Sequence, residues 1–259
     1  MGKNEIQTLN KVPAVIIYFW IIKVLATTVG ETAADFLNLN LHFGLTGTSV
    51  AMSFLLAAFL SQQIRSRRYV PWLYWVNVVL ISIVGTLITD NLVDNFGVAL
   101  ETTNIAFGIA LAATFVAWYA SERTLSIRAI YTTRRELFYW AAVLFTFALG
   151  TAAGDLAAEG LSLGYVVSAL VFGALIAGSA IAYYVVGANS VATFWIAYIL
   201  TRPLGASVGD YLSQPIADGG LGLGTVLTSA IFLAAIATLV AYLTVTRRDV
   251  LVVPSRGRD

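Results

Sequence analysis

Four tandem copies of one sequence pattern constrain the fold of this chain more than any other feature. An aromatic residue followed by tryptophan occurs four times, and we call these tryptophans the repeat tryptophans: Trp20, Trp75, Trp140 and Trp195. A glycine lies ten residues beyond each of them, at Gly30, Gly85, Gly150 and Gly205. An aspartate lies fifteen residues beyond, at Asp35, Asp90, Asp155 and Asp210. Because no copy needs a gap, the chain consists of four related units.

Each unit contains two apolar segments, each long enough to cross a lipid bilayer. Hydrophobic residues make up 59% of the chain and charged residues only 11%, whereas a soluble domain has about 25% charged residues. A helix rises about 1.5 Å per residue, so about 20 residues cross the hydrocarbon core. The sequence predicts an all-α polytopic membrane bundle of eight transmembrane helices, over residues 13–37, 43–64, 71–93, 99–120, 137–158, 163–185, 191–213 and 221–245.

An even number of spans in each unit returns the chain to the same side of the membrane. The four two-helix repeats are therefore parallel, and we expect their pseudosymmetry axis to lie along the membrane normal. The tryptophan spacings of 55, 65 and 55 residues indicate two halves offset by 120 residues. We expect a single membrane domain over 1–259, with no cleaved signal peptide. Its repeats cover about 13–64, 71–120, 137–185 and 191–245, followed by a short basic tail at 246–259.

The distribution of lysine and arginine predicts the orientation in the membrane. Thirteen of the 15 cations lie at the termini or in the connections between repeats, and the opposite connections contain none. By the positive-inside rule, both termini are cytoplasmic. The two remaining cations, Lys23 and Arg202, lie within spans.

The four repeat tryptophans, each within a two-helix unit, carry a family resemblance. The chain resembles the bacterial membrane proteins defined by four tandem repeats of unknown function, each repeat with two transmembrane regions and a hallmark tryptophan. The resemblance covers almost the whole chain and implies the fold. It implies no activity, because that family is named for lacking an assigned function.

Acidic residues are unusually frequent in and beside the predicted spans. Nine of the 14 lie inside spans or at their outer ends: Glu31, Asp35, Asp90, Asp94, Glu101, Asp155, Glu159, Asp210 and Asp218. Since a charge at the bilayer centre costs about 2.5–3.5 kcal/mol on insertion scales, such residues face a protein interior, water or a partner. Lys23 and Arg202 cannot balance nine acids. The excess negative charge predicts bound protons or a bound cation.

Three pairs of these acids are four residues apart: Glu31 with Asp35, Asp90 with Asp94, and Asp155 with Glu159. This spacing places both carboxylates on one helix face, where they repel unless they share a proton or a cation. Oxygen ligands suit Mg²⁺, Ca²⁺ or Mn²⁺. The candidate cation- or proton-binding residues are Glu31, Asp35, Asp90, Asp155, Asp210, Asp94 and Glu159, and the candidate metal ligands are Glu31, Asp35, Asp90, Asp155 and Asp210. The candidate supporting residues are Arg202, Lys23, Thr28, Thr86, Gly30, Gly85, Gly150 and Gly205.

Several of these features also have simpler structural interpretations. The outer acids can lie in the aqueous interface: Asp94, Glu101, Glu159 and Asp218. The aspartates of the repeat can be hydrogen-bonding groups that hold the bundle together. The glycines predict either close helix packing or a local helix break. The break is best supported in the fourth repeat, because Pro203 lies two residues before Gly205. The repeat tryptophans are typical of anchors at the level of the lipid headgroups. The Lys23 side chain can snorkel to the same interface, whereas Arg202 can pair with a carboxylate. His42 is the single histidine of the sequence, and a lone exposed histidine is usually not a ligand.

The sequence contains no nucleotide-binding loop, no zinc-protease motif and no nucleophile elbow. We therefore expect no enzyme and no ATP-driven transport by this chain. The favoured function is secondary transport of a cation, first of all a divalent metal such as manganese, with proton-coupled export across the bacterial inner membrane. The alternatives are a proton or organic-cation pathway, and a non-transporting binding or sensory subunit. We expect no cofactor other than a bound transported cation, and the lipid bilayer, protons and the cation as partners. A homo-oligomer is compatible with the sequence, and nucleic acid is not an expected partner.

Overall fold

A computed structural model describes residues 10–40 and 44–250, apart from the side chains of residues 39 and 40. Within those residues there are eight long α-helices and no strand. They are α1 (Ile17–Asn40), α2 (Gly44–Arg65), α3 (Pro71–Asp90), α4 (Leu100–Glu122), α5 (Thr133–Asp155), α6 (Gly164–Tyr184), α7 (Ser190–Ser213) and α8 (Thr225–Thr246). All eight are long and apolar enough to span a membrane. The predicted all-α membrane bundle of eight helices is confirmed.

Three predicted helix starts are wrong by four residues. Helix α5 begins at Thr133 rather than at residue 137, where the hydroxyl of Thr132 caps the first turn by accepting from the backbone N–H of Arg135 at 3.3 Å. Helix α1 begins at Ile17 rather than at residue 13, and α8 begins at Thr225 rather than at residue 221. Before α1, the backbone N–H of Ala14 donates to the carbonyl of Asp249 at 2.8 Å, so this segment crosses the end of the bundle instead of continuing the helix. Before α8, three glycines adopt positive φ, which keeps the chain out of helical geometry: Gly219, Gly222 and Gly224.

Helices α3 and α5 each continue into a five-residue π-helical turn. These turns cover Asn91–Asn95 and Leu156–Gly160, and they begin directly after Asp90 and Asp155. Each turn has a backbone hydrogen bond to the fifth residue back, from Phe96 to Asn91 at 3.0 Å and from Leu161 to Leu156 at 2.7 Å. The first helices of the second and third repeats therefore change from α-helical to the wider π-helical geometry at the same point, just beyond their aspartates.

The four odd-numbered helices form a closed ring in the order α1, α3, α5, α7 and back to α1. Each even-numbered helix packs mainly on the first helix of the following repeat: α2 on α3, α4 on α5, α6 on α7, and α8 on α1. The fourth repeat therefore packs on the first in the same way as each earlier repeat packs on the repeat that follows it. The repeats interlock, so their two-helix units share one core.

The repeat tryptophans form one of the two repeated contacts within the ring. The aromatic residue before each tryptophan packs on the tryptophan of the next repeat, with ring centroids 5.5–6.2 Å apart, as expected for aromatic pairs. The pairs are Phe19–Trp75 (5.7 Å), Tyr74–Trp140 (5.5 Å), Tyr139–Trp195 (6.2 Å) and Phe194–Trp20 (5.7 Å). Three of these tryptophans are buried, at Trp75, Trp140 and Trp195. Their predicted role as headgroup anchors is therefore wrong, because the neighbouring repeat covers them.

The glycines form the second repeated contact. Each glycine faces the residue that lies seven positions beyond the tryptophan of the next repeat, and an added Cβ would overlap that residue: Gly30 on Ser82, Gly85 on Phe147, Gly150 on Arg202 and Gly205 on Thr27. The glycines therefore allow close helix approach. Helix α7 runs without interruption through Pro203, so the alternative of a local break is wrong in the fourth repeat.

The beginnings of the odd-numbered helices define one end of the bundle, which we call the closed end. Four buried aromatic side chains fill it: Phe19, Tyr74, Tyr139 and Phe194. The hydroxyls of Tyr74 and Tyr139 are 2.5 Å apart. These like-placed side chains meet at one end, so the four odd helices are parallel.

The chain before α1 covers the closed end from outside. The ammonium of Lys11 pairs with the carboxylate of Glu136 at 2.5 Å, and the amide of Gln63 donates to the other oxygen of Glu136 at 3.1 Å. Nearby, the hydroxyl of Tyr69 donates to Asp249 at 2.5 Å. Burial raises the pKa of the Asp249 carboxyl above its ordinary value. These contacts tie both ends of the described chain to the same surface.

Candidate functional site

The odd-numbered helices end at the opposite side of the bundle, which we call the acidic end. There the four repeat aspartates and Glu31 come together, and Glu31 interacts electrostatically with all four of Asp35, Asp90, Asp155 and Asp210. Three of the five approach most closely, because one carboxylate oxygen from each of Glu31, Asp155 and Asp210 lies within 4.8 Å of the others. Helices α1, α5 and α7 supply this three-carboxylate cluster.

The carboxylates are graded in exposure. Asp35, Asp90 and Asp155 are partly exposed, whereas Asp210 keeps 8% of its surface accessible and Glu31 keeps 6%. The cluster therefore reaches the surface at the acidic end. Toward the closed end, the side chains of Arg202 and Lys23 inside the ring are fully buried.

The outer acids lie outside this cluster. Asp94, Glu101, Glu159 and Asp218 are all exposed, as the interfacial interpretation predicts. Asp94 and Glu159 still interact electrostatically with Asp35. Asp94 also interacts electrostatically with Asp90, and Glu159 with Asp155, which agrees with the prediction that each pair shares one helix face.

Arg202 occupies the centre of the ring directly beneath the carboxylates. Its side chain is fully buried, and its Nη2 atom donates to Glu31 Oε2 at 2.5 Å. The same nitrogen lies 2.5 Å from the hydroxyl of Thr86 and 2.6 Å from that of Thr151. Nη1 donates to the carbonyl of Thr27 at 3.4 Å, while Nε has no hydrogen-bond partner in the described part of the chain. The guanidinium thus contacts helices α1, α3 and α5 from its position on α7.

Lys23 lies one layer deeper, toward the closed end. It is fully buried, and its Nζ atom has no hydrogen-bond partner among the described residues. The ammonium sits over the rings of Phe147 and Tyr198, at 4.0 Å and 4.3 Å from their centroids. Such cation–π contacts are worth about 2 kcal/mol or more when desolvated. The prediction that Lys23 snorkels to the interface is wrong, because α5 and α7 enclose it.

The remaining predicted supporting residues contribute in different ways. The hydroxyl of Thr28 donates to Val24 on its own helix at 3.2 Å, so the described contacts give it no part in the carboxylate cluster. Thr86 and the four glycines act as described above, by holding Arg202 and by allowing close packing. His42 lies outside the described residues, as does the tail from residue 251 onward.

The site carries an excess of negative charge when every group is ionised. Five carboxylates face two cations, Arg202 and Lys23, and one of the carboxylates is already paired with Arg202. Such an excess, close to a membrane interior, requires protons or a cation as a counterweight. Ligand oxygens on opposite sides of a Ca²⁺ or Mn²⁺ ion are separated by about twice the metal–oxygen distance, roughly 4–5 Å. The spacing of Glu31, Asp155 and Asp210 is compatible with this.

No sequence signal singles out Phe147 and Tyr198, which enclose Lys23. Thr151 is one of several hydroxyl residues close in sequence to the acids, and no sequence signal distinguishes it as a partner of Arg202. A comparison of register could have found them. Phe147 and Arg202 both lie seven residues beyond a repeat tryptophan, and Thr86 and Thr151 both lie eleven beyond, so each position could have been compared across repeats.

Eight apolar helices, arranged as an interlocked ring of four parallel repeats, define a multi-pass helical membrane protein. The family described as "Repeat of Unknown Function (DUF347)" matches residues 18–69, 73–124, 138–189 and 193–249. The chain belongs to this family, which confirms the resemblance found in the sequence. No curated protein and no solved structure matches the chain significantly.

Proposed function

We propose that this protein is a secondary transporter of a cation, with a divalent metal such as Mn²⁺ as the first candidate cargo. The observation that carries the proposal is the three-carboxylate cluster of Glu31, Asp155 and Asp210, with oxygens within 4.8 Å of one another at the base of a solvent-reached acidic end. Intramembrane carboxylates of this kind mark ion pathways and proton relays. Asp35 and Asp90 would attract the cation and could complete its ligands.

The distribution of cations supports an orientation for this transporter. The loops at the closed end hold the lysines and arginines, so we place this end and both termini in the cytoplasm of a bacterial cell, with the protein in the inner membrane. The structure would then be open to the outside and closed to the inside. Protons entering from outside would neutralise the carboxylates and release the metal, which favours proton-coupled export.

A second candidate cargo is an organic cation. Its support is the enclosure of the Lys23 ammonium by the faces of Phe147 and Tyr198, since aromatic faces recognise amines in the same way. A proton pathway without metal would use the same carboxylates. A non-transporting binding or sensory subunit would need no change in access to the site.

The test is metal binding and flux with purified protein in proteoliposomes. Asp155→Asn and Asp210→Asn keep the side-chain shape but each removes a charged ligand, so each should weaken Mn²⁺ binding by at least about tenfold and abolish proton-driven flux. The matched control is Asp218→Asn, an exposed aspartate outside the cluster. Calorimetry measures binding, and a trapped fluorescent metal indicator measures flux.

Three outcomes would contradict the proposal. Wild-type protein could fail to bind Mn²⁺ and other divalent metals. The two cluster variants could bind and transport like Asp218→Asn. Finally, binding could occur without any flux, which would favour the binding subunit. Flux of an organic cation such as tetraphenylphosphonium or ethidium, without metal flux, would favour the organic-cation alternative.

A further inference from the structure

The centre of the ring departs from the fourfold pattern at two register positions. Seven residues beyond the repeat tryptophans lie Thr27, Ser82, Phe147 and Arg202. Eleven residues beyond lie Glu31, Thr86, Thr151 and Ala206. Each position carries one charged residue, and these two, Arg202 and Glu31, form an ion pair in the structure. The departure is therefore a matched pair rather than two independent changes.

Arg202 reaches across the pseudosymmetry axis. Its Nη2 atom contacts all three polar residues at the position eleven beyond the tryptophan, Glu31, Thr86 and Thr151, each from a different repeat. Its side-chain stem packs on Gly150, where a Cβ would overlap it. One guanidinium thus links the fourth repeat to the other three at their common centre.

Glu31 belongs to two groups at once. Its carboxylate holds the Arg202 guanidinium, and it also supplies one oxygen to the three-carboxylate cluster with Asp155 and Asp210. A metal ion bound in that cluster would share Glu31 with a second positive charge only a few ångströms away. Their repulsion is strong in a site of low dielectric. Metal and guanidinium therefore compete for the same carboxylate.

We propose that Arg202 is a tethered counter-cation, which pairs with Glu31 when no cargo is bound and releases Glu31 when cargo enters. This inference rests on the proposed cation transport. The guanidinium partly neutralises the cargo-free carboxylates, so that the protein can change its access without carrying the whole negative charge across the membrane. When Arg202 returns to Glu31, it helps to expel the cargo.

The contacts of Arg202 suit such an exchange. After release of Glu31, the hydroxyls of Thr86 and Thr151 still accept from Nη2, so the guanidinium keeps partners. Its Nε atom has no hydrogen-bond partner within residues 10–40 and 44–250, so it can donate a hydrogen bond in a shifted position. The charged groups that act on this region are Lys23 and Glu31 on α1, Asp35 on α1, Asp155 on α5 and Asp210 on α7.

The test compares Arg202→Gln with Lys23→Gln in Mn²⁺ binding. Glutamine at 202 removes the charge but can still hydrogen-bond, so we expect Mn²⁺ to bind about tenfold tighter than to wild type. Lys23→Gln removes an equally buried amine that touches no carboxylate among the described residues, and its gain should be clearly smaller. Weaker or unchanged binding by Arg202→Gln would show that Arg202 only orients Glu31, and would overturn the inference.

A second readout separates this role from a structural one. Arg202→Gln should retain Mn²⁺–Mn²⁺ exchange across proteoliposomes, because the loaded protein still changes its access. Net proton-driven flux should fall at least about tenfold, because the empty protein is no longer neutralised. An equal loss of exchange and net flux would contradict the inference.

Arg202→Lys keeps the charge and serves if Arg202→Gln does not fold. Lysine is a point charge that cannot hold Glu31, Thr86 and Thr151 together, so its grip on Glu31 is weaker. Competition then predicts Mn²⁺ binding about threefold tighter than in wild type, whereas an orienting role predicts weaker binding. If wild-type protein binds no cation at all, the proposed function itself fails; if it binds but the variants do not tighten, only this inference fails.

Discussion

The closed end and the centre of the bundle treat the fourfold repeat in opposite ways. At the closed end all four copies keep the same contact, from an aromatic residue to the tryptophan of the next repeat. At the centre only one copy carries an arginine and only one carries a glutamate. Each repeat packs on the next in the same way at this end, so the same kind of aromatic pair can fill all four interfaces. Charges near the axis cannot be repeated, because four equivalent arginines would lie against one another.

The aspartates stand between these two cases. They are repeated four times although they are charged, and three of them are partly exposed at the acidic end. Access to water lowers the free-energy cost of keeping like charges near one another. The residues repeated in all four copies thus form the packing contacts between helices, which we call the frame, and the carboxylates of the acidic end. Three residues that each occur in one copy only give the centre its specific chemistry: Arg202, Glu31 and Lys23.

The largest effect on stability should come from disrupting the contacts between the repeat tryptophans and their aromatic neighbours at the closed end. Trp140→Ala removes a side chain that is 2% exposed and packs against Tyr74. Loss of a buried tryptophan typically costs about 3–5 kcal/mol in free energy of unfolding. Thermal or denaturant unfolding in detergent should show a loss of this size.

Trp72→Ala is the matched control, because Trp72 is 47% exposed on the same helix segment as Trp75. Its cost should stay below about 1 kcal/mol, as for most surface substitutions. If both variants lost equal stability, the repeat tryptophans would not be core residues, and their interpretation as headgroup anchors would regain support.

A smaller effect should follow from one added methyl group at a helix crossing. In Gly205→Ala, the new Cβ would overlap the side chain of Thr27 and would lie 3.0 Å from its backbone carbonyl carbon. Overpacking of this kind costs about 1–3 kcal/mol. Gly178→Ala is the control, since nothing lies within 4 Å of its added Cβ, and there alanine should be neutral or stabilise by up to about 1 kcal/mol. Equal stability of the two variants would argue against close helix packing at the glycines that lie ten residues beyond the repeat tryptophans.

The frame was largely predictable from the sequence, because its signals are periodic. The offsets of glycine and aspartate from the repeat tryptophans predicted four parallel units, and apolar length predicted the eight helices. Helix ends were less predictable, since the hydropathy of Val12–Ala14 resembles that of a span. Only the tertiary hydrogen bond of Ala14 to Asp249 shows that this segment leaves the helix.

The centre was less predictable, because its contacts join residues far apart in the chain. A carboxylate partner for Arg202 was expected, but which acid it would be depends on the ring order, which places α7 beside α1. Lys23 was expected at the interface, because its distance from Trp20 suits snorkelling. Its burial depends on Phe147 and Tyr198, which come from two other repeats. No local signal in the first repeat reports those neighbours.

The smallest effect is expected at Lys23, where the comparison between frame and centre predicts a near-zero change rather than a loss. Lys23 is fully buried and its Nζ has no hydrogen-bond partner among the described residues. Lys23→Met keeps a similar volume, removes a desolvated amine and forfeits the contacts with Phe147 and Tyr198. Replacing buried ionic groups by apolar ones of like volume is often neutral or stabilising, so unfolding free energy should change by less than about 1 kcal/mol. A loss as large as that of Trp140→Ala would show that the ammonium has a partner that these contacts do not reveal, and would make Lys23 part of the frame.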